Sequence, residues 1–488
     1  MSVLEVQAFS SELLGAYRRN EAPRSVVVDL QARRLARLLE VARGTRAYRD
    51  LRRLQDAPVV DKAALMARFD DHVVGGAPSR VHTFAFLHRA APGALLDDRY
   101  LVTTTSGTTG EVGVFVVDGP GFARLRATVF ARIFRGQLRP EGFALLLRRR
   151  YRMSFVTALG GHTMTAVLAL RLPRIGGIVA DIRALPIDDP LPKLVAALND
   201  APPMLLHSYA TVLEVLAHEA LRGRLRIQPE IVTAGSEPLT QQARATIGAA
   251  FPDAALVETW GATEHVGLAT ACALGHLHIN EDAALIEAVD DDDRPVDDGT
   301  WSDRCLVTNL LNHAQPVLRY RLDDRVRIDA RPCPCGSPFR RVEIVGRTDD
   351  VVYLHDGDGF QIHTPIPFEI ALLGVPGLLQ FALVHEEQNR LRVSVVVEDG
   401  ADGAVVSGVV CERLDRYFDE HGLTPHVSFF VEETAALTRH ARSKKLRQIT
   451  SRVSKPAGPI VPAAQRRRSS KAAADIDAGV SRPRGGGP

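Results

Sequence analysis

The chain has 488 residues, which suggests two to four domains at roughly 100–200 residues each. Hydrophobic residues make up 45% of it and the formal net charge is +2, so its composition requires neither nucleic acid nor a membrane as partner. Five cysteines are too few for a disulfide scaffold, and the first 30 residues contain no apolar segment of a secretory signal. These features predict a globular protein of the reducing cytoplasm.

The predicted elements change in character along the chain. Residues 1–60 are predicted to form helices, and residues 79–120, rich in Thr, Val and Gly, to form strand and loop. Residues 120–138 have the apolar spacing of an amphipathic helix. From about 140 to 345, short apolar runs alternate with helical stretches. Such alternation predicts an α/β fold with mainly parallel sheets covered by helices.

The pattern divides the chain into two domains and a tail. Residues 1–345 form the large N-terminal domain, and residues 346–455 form a small α+β domain with a strand predicted at 391–397 and a helix near 406–420. The tail of residues 456–488 contains Pro, Ala, Arg and Gly with almost no aromatic or large apolar residue. That composition predicts disorder.

A phosphate-binding loop is predicted at residues 103–110, which read Thr-Thr-Thr-Ser-Gly-Thr-Thr-Gly. A loop dense in these residues can direct backbone N–H groups and hydroxyls inward and bind phosphate oxygens without a fixed charge. The alternative is an ordinary surface loop. The candidate phosphate ligands are Ser106, Gly107, Thr108, Thr109 and Gly110.

Four further motifs follow in order. Residues 233–238 read Thr-Ala-Gly-Ser-Glu-Pro, and residues 258–264 read Glu-Thr-Trp-Gly-Ala-Thr-Glu. Residues 316–324 read Pro-Val-Leu-Arg-Tyr-Arg-Leu-Asp-Asp, and residues 346–350 read Gly-Arg-Thr-Asp-Asp. Taken singly, each has an ordinary structural explanation, such as a strand end with a core tryptophan or an ion-paired surface strand. Their order and spacing together are far more specific.

Together these motifs resemble those of the acyl-adenylate-forming (ANL) superfamily, in its phenylacetate–CoA ligase-like branch, over roughly residues 40–455. The resemblance implies a large N-terminal adenylation domain that binds ATP and an acid, and a small mobile C-terminal domain. The chain departs from the pattern where Glu111-Val112-Gly113 stands in place of the Pro-Lys-Gly of many members. Members of the phenylacetate–CoA ligase-like branch vary there too, which favours that branch.

The resemblance implies roles for individual residues. The ring of Trp260 can stack on adenine, and Thr263 would reach the α-phosphate. Glu264 would hold Mg²⁺, a hard cation that prefers oxygen ligands. Asp324 would accept hydrogen bonds from the ribose hydroxyls, with Asp323, which replaces the usual glycine, as its rival. The remaining nucleotide-binding positions are Gly235, Ser236, Glu237, Gly261 and Arg347.

The small domain supplies a hinge and a lysine in this family. Asp349 is the hinge position implied by the resemblance, and a short polar hinge suits an enzyme that works in two conformations. Lys445 aligns with the catalytic lysine, with Lys444 as its rival. A mobile ammonium can neutralise the charge that develops when a carboxylate attacks an α-phosphate. The altered stretch at 354–360 leaves the geometry of the acceptor open.

A structural zinc site is predicted from three cysteines and a histidine. Cys333 and Cys335 stand in Pro-Cys-Pro-Cys-Gly, and Cys272 and His278 stand in Ala-Cys-Ala-Leu-Gly-His-Leu-His. Such a set suits tetrahedral Zn²⁺, and His276 is the alternative histidine ligand. The pattern also resembles that of phenylacetate–CoA ligase-like members. The other interpretation is reduced free thiols beside a hydrogen-bonded histidine.

The predicted function is AMP-forming activation of a small carboxylic acid, often aromatic in this branch, with transfer to CoA or a separate carrier protein. Tyr209, His162 and His207 are candidate acid contacts, although both histidines could equally be interior residues. One alternative is an unusual or inorganic acid such as nitrite, transferred to an amine. Another is a non-catalytic nucleotide-binding protein, since the loop lysine is missing. The expected assembly is a monomer or homodimer.

Overall fold

The residues of the structure, a computed structural model, separate into two compact units. The first contains the described residues of Met1–Ser106, Glu111–Ile187 and Val195–Thr348, and the second contains those of Asp188–Leu194 and Asp349–Pro488. The predicted domain boundary lies outside the described residues and stays a prediction. The structure describes residues 2–105, 112–135, 151–159, 162–171, 180–187, 189–236, 239, 241–290, 292–345, 352–357, 359–363, 368, 371–372, 375–397, 400–435, 437, 449–453, 456 and 460–462.

The helices begin and end at positions that follow the apolar spacing of the sequence. None of those in the described part of the chain is both long and apolar enough to cross a lipid bilayer. In chain order they are α1 (Val3–Arg19), α2 (Arg24–Ala42), α3 (Lys62–Ala67), α4 (Arg80–Leu87), α5 (Gly119–Ile133), α6 (Met164–Arg171), α7 (Leu191–Asp200), α8 (Ala210–Leu221), α9 (Gln241–Ala250) and α10 (Gly403–Glu420).

The strands are short and most are largely buried. In chain order they are β1 (Leu95–Leu96), β2 (Tyr100–Thr104), β3 (Val114–Asp118), β4 (Tyr151–Thr157), β5 (Ala180–Pro186), β6 (Leu205–Tyr209), β7 (Ile231–Gly235), β8 (Ala255–Ala262), β9 (His265–Ala271), β10 (Leu277–Ile279), β11 (Ala284–Val289), β12 (Arg304–Asn309), β13 (Tyr320–Leu322), β14 (Arg325–Asp329), β15 (Arg341–Val345), β16 (Val352–His355), β17 (Phe360–His363), β18 (Leu378–Glu387), β19 (Arg390–Val397), β20 (Ser428–Glu433), β21 (Ile449–Ser451) and β22 (Ile460–Pro462).

A nine-stranded sheet with the order β14-β15-β10-β9-β8-β7-β6-β4-β5 forms the frame of the first unit. Strands β5, β4, β6, β7 and β8 pair in parallel, as the alternation of strands and helices predicts. The remaining four strands run antiparallel, because turns and loops rather than crossover helices connect them. The α/β fold is therefore confirmed, with a parallel half and an antiparallel half.

The second unit has its own core around a four-stranded sheet of order β20-β19-β18-β21. Helix α10 buries Val406, Val410 and Leu414, which recur every four residues on one face. These side chains join Val393 and Val395 of β19 in one hydrophobic cluster. The predicted strand at 391–397 and the helix near 406–420 are both confirmed.

The prediction of strand and loop alone for residues 79–120 is wrong at its start, where the structure has helix α4. The side chain of Ser79 accepts a hydrogen bond from the backbone N–H of His82, at 3.3 Å, and so caps the helix. Thr83 is fully buried and bonds back to the carbonyl of Ser79. A cap followed by only eight helical residues is too short for apolar periodicity to reveal.

A buried ionic network around Asp282 joins three helices to the segment after β10. Its carboxylate accepts hydrogen bonds from Arg19 Nε at 2.7 Å and from Arg132 Nη2 at 2.6 Å. Arg34 donates to its backbone carbonyl, and Glu12 bonds to both Arg19 and Arg34. Burial alone would raise the pKa of Asp282, but the guanidiniums of Arg132 and Arg19 outweigh it and hold that pKa well below its usual range. Asp282 is therefore ionised in the folded protein.

Replacing Asp282 by Asn should destabilise the fold by about 3–5 kcal/mol, because the buried guanidinium of Arg132 loses its counter-charge and that of Arg19 keeps only Glu12. Since the folded pKa is lowered, the stabilisation is present at neutral pH and is lost only as the pH falls into the acidic range. Urea unfolding measures the difference. The control is Glu40→Gln, which breaks an exposed pair with Arg37 and should change the free energy of unfolding by under about 0.5 kcal/mol. Equal midpoints for Asp282→Asn and wild type would contradict the importance of the network.

Candidate functional site

The candidate site lies where the carboxyl ends of the parallel strands meet. Thr157 ends β4, Tyr209 ends β6 and Gly235 ends β7. Strand β8 continues into the turn at residues 263–264. In open α/β sheets, ligands bind outside the carboxyl ends of the strands. The edge therefore brings together two of the predicted nucleotide motifs and one predicted acid contact.

The end of β7 has the tight geometry that the predicted adenine-binding loop requires. A Cβ added to Gly235 would lie 2.7 Å from Thr259 Oγ1 and 3.4 Å from His207 Cε1, so a side chain does not fit. Ser236 follows with a φ of 66°, in the left-handed region that is strained for a residue other than glycine. Glu237 lies outside the described residues.

A two-residue turn connects β8 to β9 and carries the next motif. Ala262 pairs with His265, so residues 263–264 form the turn itself. A Cβ added to Gly261 would lie 2.4 Å from the carbonyl oxygen of Val266, far inside a normal contact. The glycine of this motif is therefore required by the backbone of the hairpin.

The side chains of this hairpin have different environments. Trp260 is half-buried and packs against the hydrophobic core. Thr263 is also half-buried, whereas Glu264 is buried. Asn309 Nδ2 donates to the backbone carbonyl of Glu264 at 2.8 Å and so holds the backbone of the turn. The turn holds a carboxylate at the edge of the sheet.

The predicted ribose-binding residues form another turn. Asp323 and Asp324 connect β13, in a three-stranded sheet, to β14, in the main sheet. Both are half-buried and both interact with other groups of the protein. Asp323 has no left-handed φ, so the backbone accepts aspartate where relatives have glycine. Arg319, four residues earlier, does have a left-handed φ, of 43°. Its backbone N–H donates to Thr308 Oγ1 at 3.0 Å.

The stem of the predicted phosphate loop is a hairpin of β2 and β3. The N–H of Thr105 donates to the carbonyl of Gly113 and the N–H of Gly113 donates to Thr105 Oγ1, each at 2.8 Å. These two bonds close the stem on either side of the loop. The loop ligands Ser106–Gly110 lie outside the described residues, as do Arg347, Asp349, Lys444 and Lys445.

Two of the three candidate acid contacts bond to neighbouring parts of the fold. The hydroxyl of Tyr209 accepts from Thr157 Oγ1 at 3.2 Å and from the N–H of Ala158 at 3.4 Å. His162 Nε2 lies 3.1 Å from the carbonyl oxygen of Ala90. Tyr209 therefore holds the backbone at Ala158, and His162 holds the backbone at Ala90.

The third candidate, His207, lies on β6. It pairs with Thr233 of β7, two residues before Gly235. Its Nδ1 is 2.8 Å from Thr233 Oγ1 of β7, and its ring lies 5.3 Å from that of Phe155 on β4. These three residues are direct partners in the sheet register. Burial lowers the pKa of His207 to about 4, so its imidazole is neutral at pH 7.

The four predicted metal ligands come together. Their ligand atoms, from Cys272, His278, Cys333 and Cys335, lie within 4.8 Å of one another. Cys272 follows β9 and His278 lies on β10, while the two other cysteines occupy a turn before β15. Gly336, with a φ of 74°, closes that turn by donating to the carbonyl of Cys333 at 3.0 Å. Residues from two parts of the chain thus form one cluster.

The hydrogen bonds of the histidines distinguish the two candidates. His278 Nδ1 lies 2.8 Å from the carbonyl of Phe339, which is an acceptor only, so Nδ1 carries the proton. The unprotonated Nε2 then points at Cys335 Sγ, 3.4 Å away. This is the arrangement of a metal-binding imidazole whose other nitrogen is oriented by a carbonyl. His276 Nδ1 lies 3.2 Å from Cys333 Sγ, beside the cluster.

Several residues that shape the site carry no sequence pattern that could reveal them. Asn309 acts 45 positions away from Glu264, and Phe339 acts 61 positions away from His278. Arg135, at the end of α5, donates to the carbonyl of Cys335 at 3.4 Å from 200 positions away. Each contact joins parts of the chain that are far apart in sequence, so local spacing does not reveal it.

The Gly261→Ala variant should be destabilised by about 1–3 kcal/mol, because the added methyl overlaps a backbone oxygen that the hairpin cannot displace freely. The matched control is Gly248→Ala on the exposed face of α9, where an added Cβ meets nothing within 4 Å. That change should stabilise by about 0.5–1 kcal/mol. Thermal melts compare them, and a Gly261→Ala variant as stable as wild type would contradict the steric argument.

The chain is similar to known proteins in part of its sequence and in its fold. No protein-family model matches the chain. It is 26% identical over 287 residues to a phenylacetate–coenzyme A ligase of Thermus thermophilus, a match that covers 56% of this chain and 60% of that enzyme. The match thus spans less than two thirds of the length of that relative.

The fold is similar to that of 2-hydroxyisobutyryl-CoA ligase. The crystal structure of that ligase with 2-HIB-AMP and CoA in the thioesterification state has a TM-score of 0.54, 17% identity and 94% coverage of each chain. Its postadenylation state with 2-HIB-AMP has a TM-score of 0.52 at the same identity and coverage. The chain has a fold similar to that of this ligase, and its sequence similarity to a phenylacetate–CoA ligase agrees with the resemblance to that branch.

Proposed function

We propose that the protein uses ATP to activate a small carboxylic acid as its acyl-adenylate and then transfers the acyl group to CoA. The observation that carries the proposal is the carboxyl edge of the main sheet. There the strained Gly235–Ser236 segment and the turn of residues 263–264 end adjacent strands β7 and β8. The fold and the sequence similarity to an acid–CoA ligase support the same reaction.

The first step joins the acid to AMP. A carboxylate oxygen of the acid attacks the α-phosphorus of ATP, and the bond to the bridging oxygen breaks to release pyrophosphate. Glu264 supplies a buried carboxylate at the turn, which fits a hard cation, and Thr263 beside it would contact the α-phosphate. Mg²⁺ held there would offset the phosphate charge.

The other residues would position the nucleotide. The ring of the half-buried Trp260 would stack on adenine, and Asp324 would accept hydrogen bonds from the ribose hydroxyls. Arg347 would contact the nucleotide, and the small domain would turn about Asp349 between the two steps. In the second step the CoA thiol, deprotonated, attacks the acyl carbonyl and AMP leaves. A separate carrier protein is the other acceptor to be tested, and an aromatic acid is the first substrate class.

ATP–pyrophosphate exchange across aryl, aliphatic and inorganic acids, with and without CoA, tests the proposal. We expect one class of carboxylic acid to stimulate exchange and CoA to yield the thioester. Lys445→Ala should lower adenylation about 100-fold or more, because its ammonium would stabilise the transition state, whereas the neighbouring Lys444→Ala should stay near wild type.

Three results would contradict parts of this assignment. Undiminished adenylation by Lys445→Ala, with loss in Lys444→Ala, would transfer the role to Lys444. Product formed only with an amine or a carrier protein would exclude CoA as acceptor. Absence of exchange with every acid, together with measurable ATP binding, would indicate a nucleotide-binding protein without ligase activity.

We propose in addition that the Cys/His cluster holds a structural Zn²⁺. Three thiol sulfurs and one imidazole Nε2 make a full tetrahedral set, which would leave no open position for catalysis. The proximity of the four ligand atoms and the oriented tautomer of His278 support it. His276 would remain outside the ligand set, near Cys333.

Metal analysis of the purified protein tests the zinc proposal, with about one equivalent expected. Cys333→Ser should abolish the zinc and lower the melting temperature, since the ion would connect the β9–β10 hairpin to the turn before β15. Cys411→Ser is the matched control, because that half-buried cysteine lies on α10 outside the cluster. Less than about half an equivalent of zinc in wild type would contradict the proposal.

A further inference from the structure

Among the three candidate acid contacts, His207 has a ring nitrogen without a hydrogen-bond partner in the described part of the chain. The hydroxyl of Tyr209 is engaged at the end of β4, as described above. His162 uses Nε2 toward Ala90, and its Nδ1 is sealed from solvent. His207 is different, because only its Nδ1 has a hydrogen-bond partner among the described residues.

The ring of His207 is held in one orientation. Thr233 Oγ1 fixes Nδ1 from the neighbouring strand at 2.8 Å, and the ring of Phe155 flanks it from the other side at 5.3 Å. Its Cε1 faces the bare backbone of Gly235, where a Cβ would lie only 3.4 Å away. Nε2 makes no hydrogen bond to any described residue and is not sealed from solvent. Fixing one ring nitrogen thus presents the other at the wall of the site.

Phe155, His207 and Thr233 form a row across the neighbouring strands β4, β6 and β7. The surroundings of this row restrict which groups can approach Nε2. Phe155 packs with Phe130 and Ile133 of α5 against an apolar cluster, so the wall beside the imidazole is hydrophobic. A neutral imidazole can donate or accept one hydrogen bond at Nε2, depending on its tautomer. It offers no counter-charge, so a second ionised group on the acid would be buried without a partner. A hydroxyl satisfies either tautomer because it both donates and accepts.

We propose that His207 is a specificity-determining residue, whose Nε2 selects acids that carry an uncharged hydroxyl group on an otherwise apolar body. The inference rests on the proposed acid-activating function and defines the substrate class of the same site. Thr233 is a positioning residue, because it acts only by holding the imidazole. A site built to hydrogen-bond a substrate hydroxyl discriminates strongly against the analogue that lacks it, since its polar group is then left unpaired.

The test compares ATP–pyrophosphate exchange with matched acids that differ by one hydroxyl, namely benzoate against its three monohydroxy isomers and butyrate against its hydroxy derivatives. Wild type should prefer at least one hydroxylated member about 10-fold or more in kcat/KM. His207→Phe keeps a flat ring without nitrogen and should bring that ratio near 1. His207→Gln, whose amide reaches the position of Nε2, should keep part of the preference.

Two further variants separate specificity from damage to the fold. Thr233→Val should reduce the ratio, because the imidazole is present but no longer oriented. His218→Gln, on the exposed face of α8, should leave the ratio unchanged. A ratio unaffected by His207→Phe, or a wild type that prefers no hydroxylated acid, would overturn the inference while the proposed function stands. No exchange with any acid in wild type would overturn both.

Discussion

The short strand β10 is the constraint on which the geometry of the candidate site depends. All three of its residues pair with β9 on one side, and Leu277 and His278 also pair with β15 on the other, in the interior of the main sheet. So few backbone hydrogen bonds cannot hold a strand in register without help from side chains. Because β9 pairs in turn with β8, the position of β10 fixes the hairpin that presents Thr263 and Glu264.

Polar side chains at the middle of β10 and just beyond its end hold it in place instead. His278 within the strand belongs to the Cys/His cluster, and Asp282 just after it belongs to the buried ionic network. Phe339 connects the two anchors, because its carbonyl orients His278 while its ring lies 4.3 Å from the guanidinium of Arg132. Arg132 in turn donates to Asp282. A continuous set of contacts therefore leads from the cluster, across β10, to helices α1, α2 and α5.

The physical character of these anchors explains why they specify a position more than they add stability. A buried ion pair loses most of its Coulomb energy to desolvation, whereas removal of one partner leaves a costly unpaired charge. A displaced β10 would separate Asp282 from Arg19 and Arg132 and would incur that cost. Apolar contacts could slide by one residue with a smaller loss. The network thus penalises the wrong register of the strand.

How far the sequence could predict the site depends on how local each requirement is. Gly235 and Gly261 are predictable because an added Cβ would crowd the Thr259 side chain at the first position and the Val266 backbone at the second, so the motif and the geometry coincide. The pairing of two cysteine motifs 61 positions apart, Cys272 and Cys333, was predictable because ligand chemistry restricts the residue types. The Asp282 network was not, since Glu12, Arg19 and Arg132 look like ordinary helix-surface charges until the fold buries them.

The difference between local and non-local requirements also explains why the sequence alone could not choose among the three candidate acid contacts. Sequence placed Tyr209, His162 and His207 near the acid, but the type of residue does not show which polar atoms the fold consumes. Strand β8 is parallel to β7 and antiparallel to β9, so its carboxyl end is shared by the two halves of the sheet. The antiparallel half begins at the turn of residues 263–264, which we propose contacts phosphate and metal, while the parallel half holds the row of Phe155, His207 and Thr233. A substitution in that row therefore leaves β10 and its anchors untouched, and it can alter the choice of acid without moving Glu264.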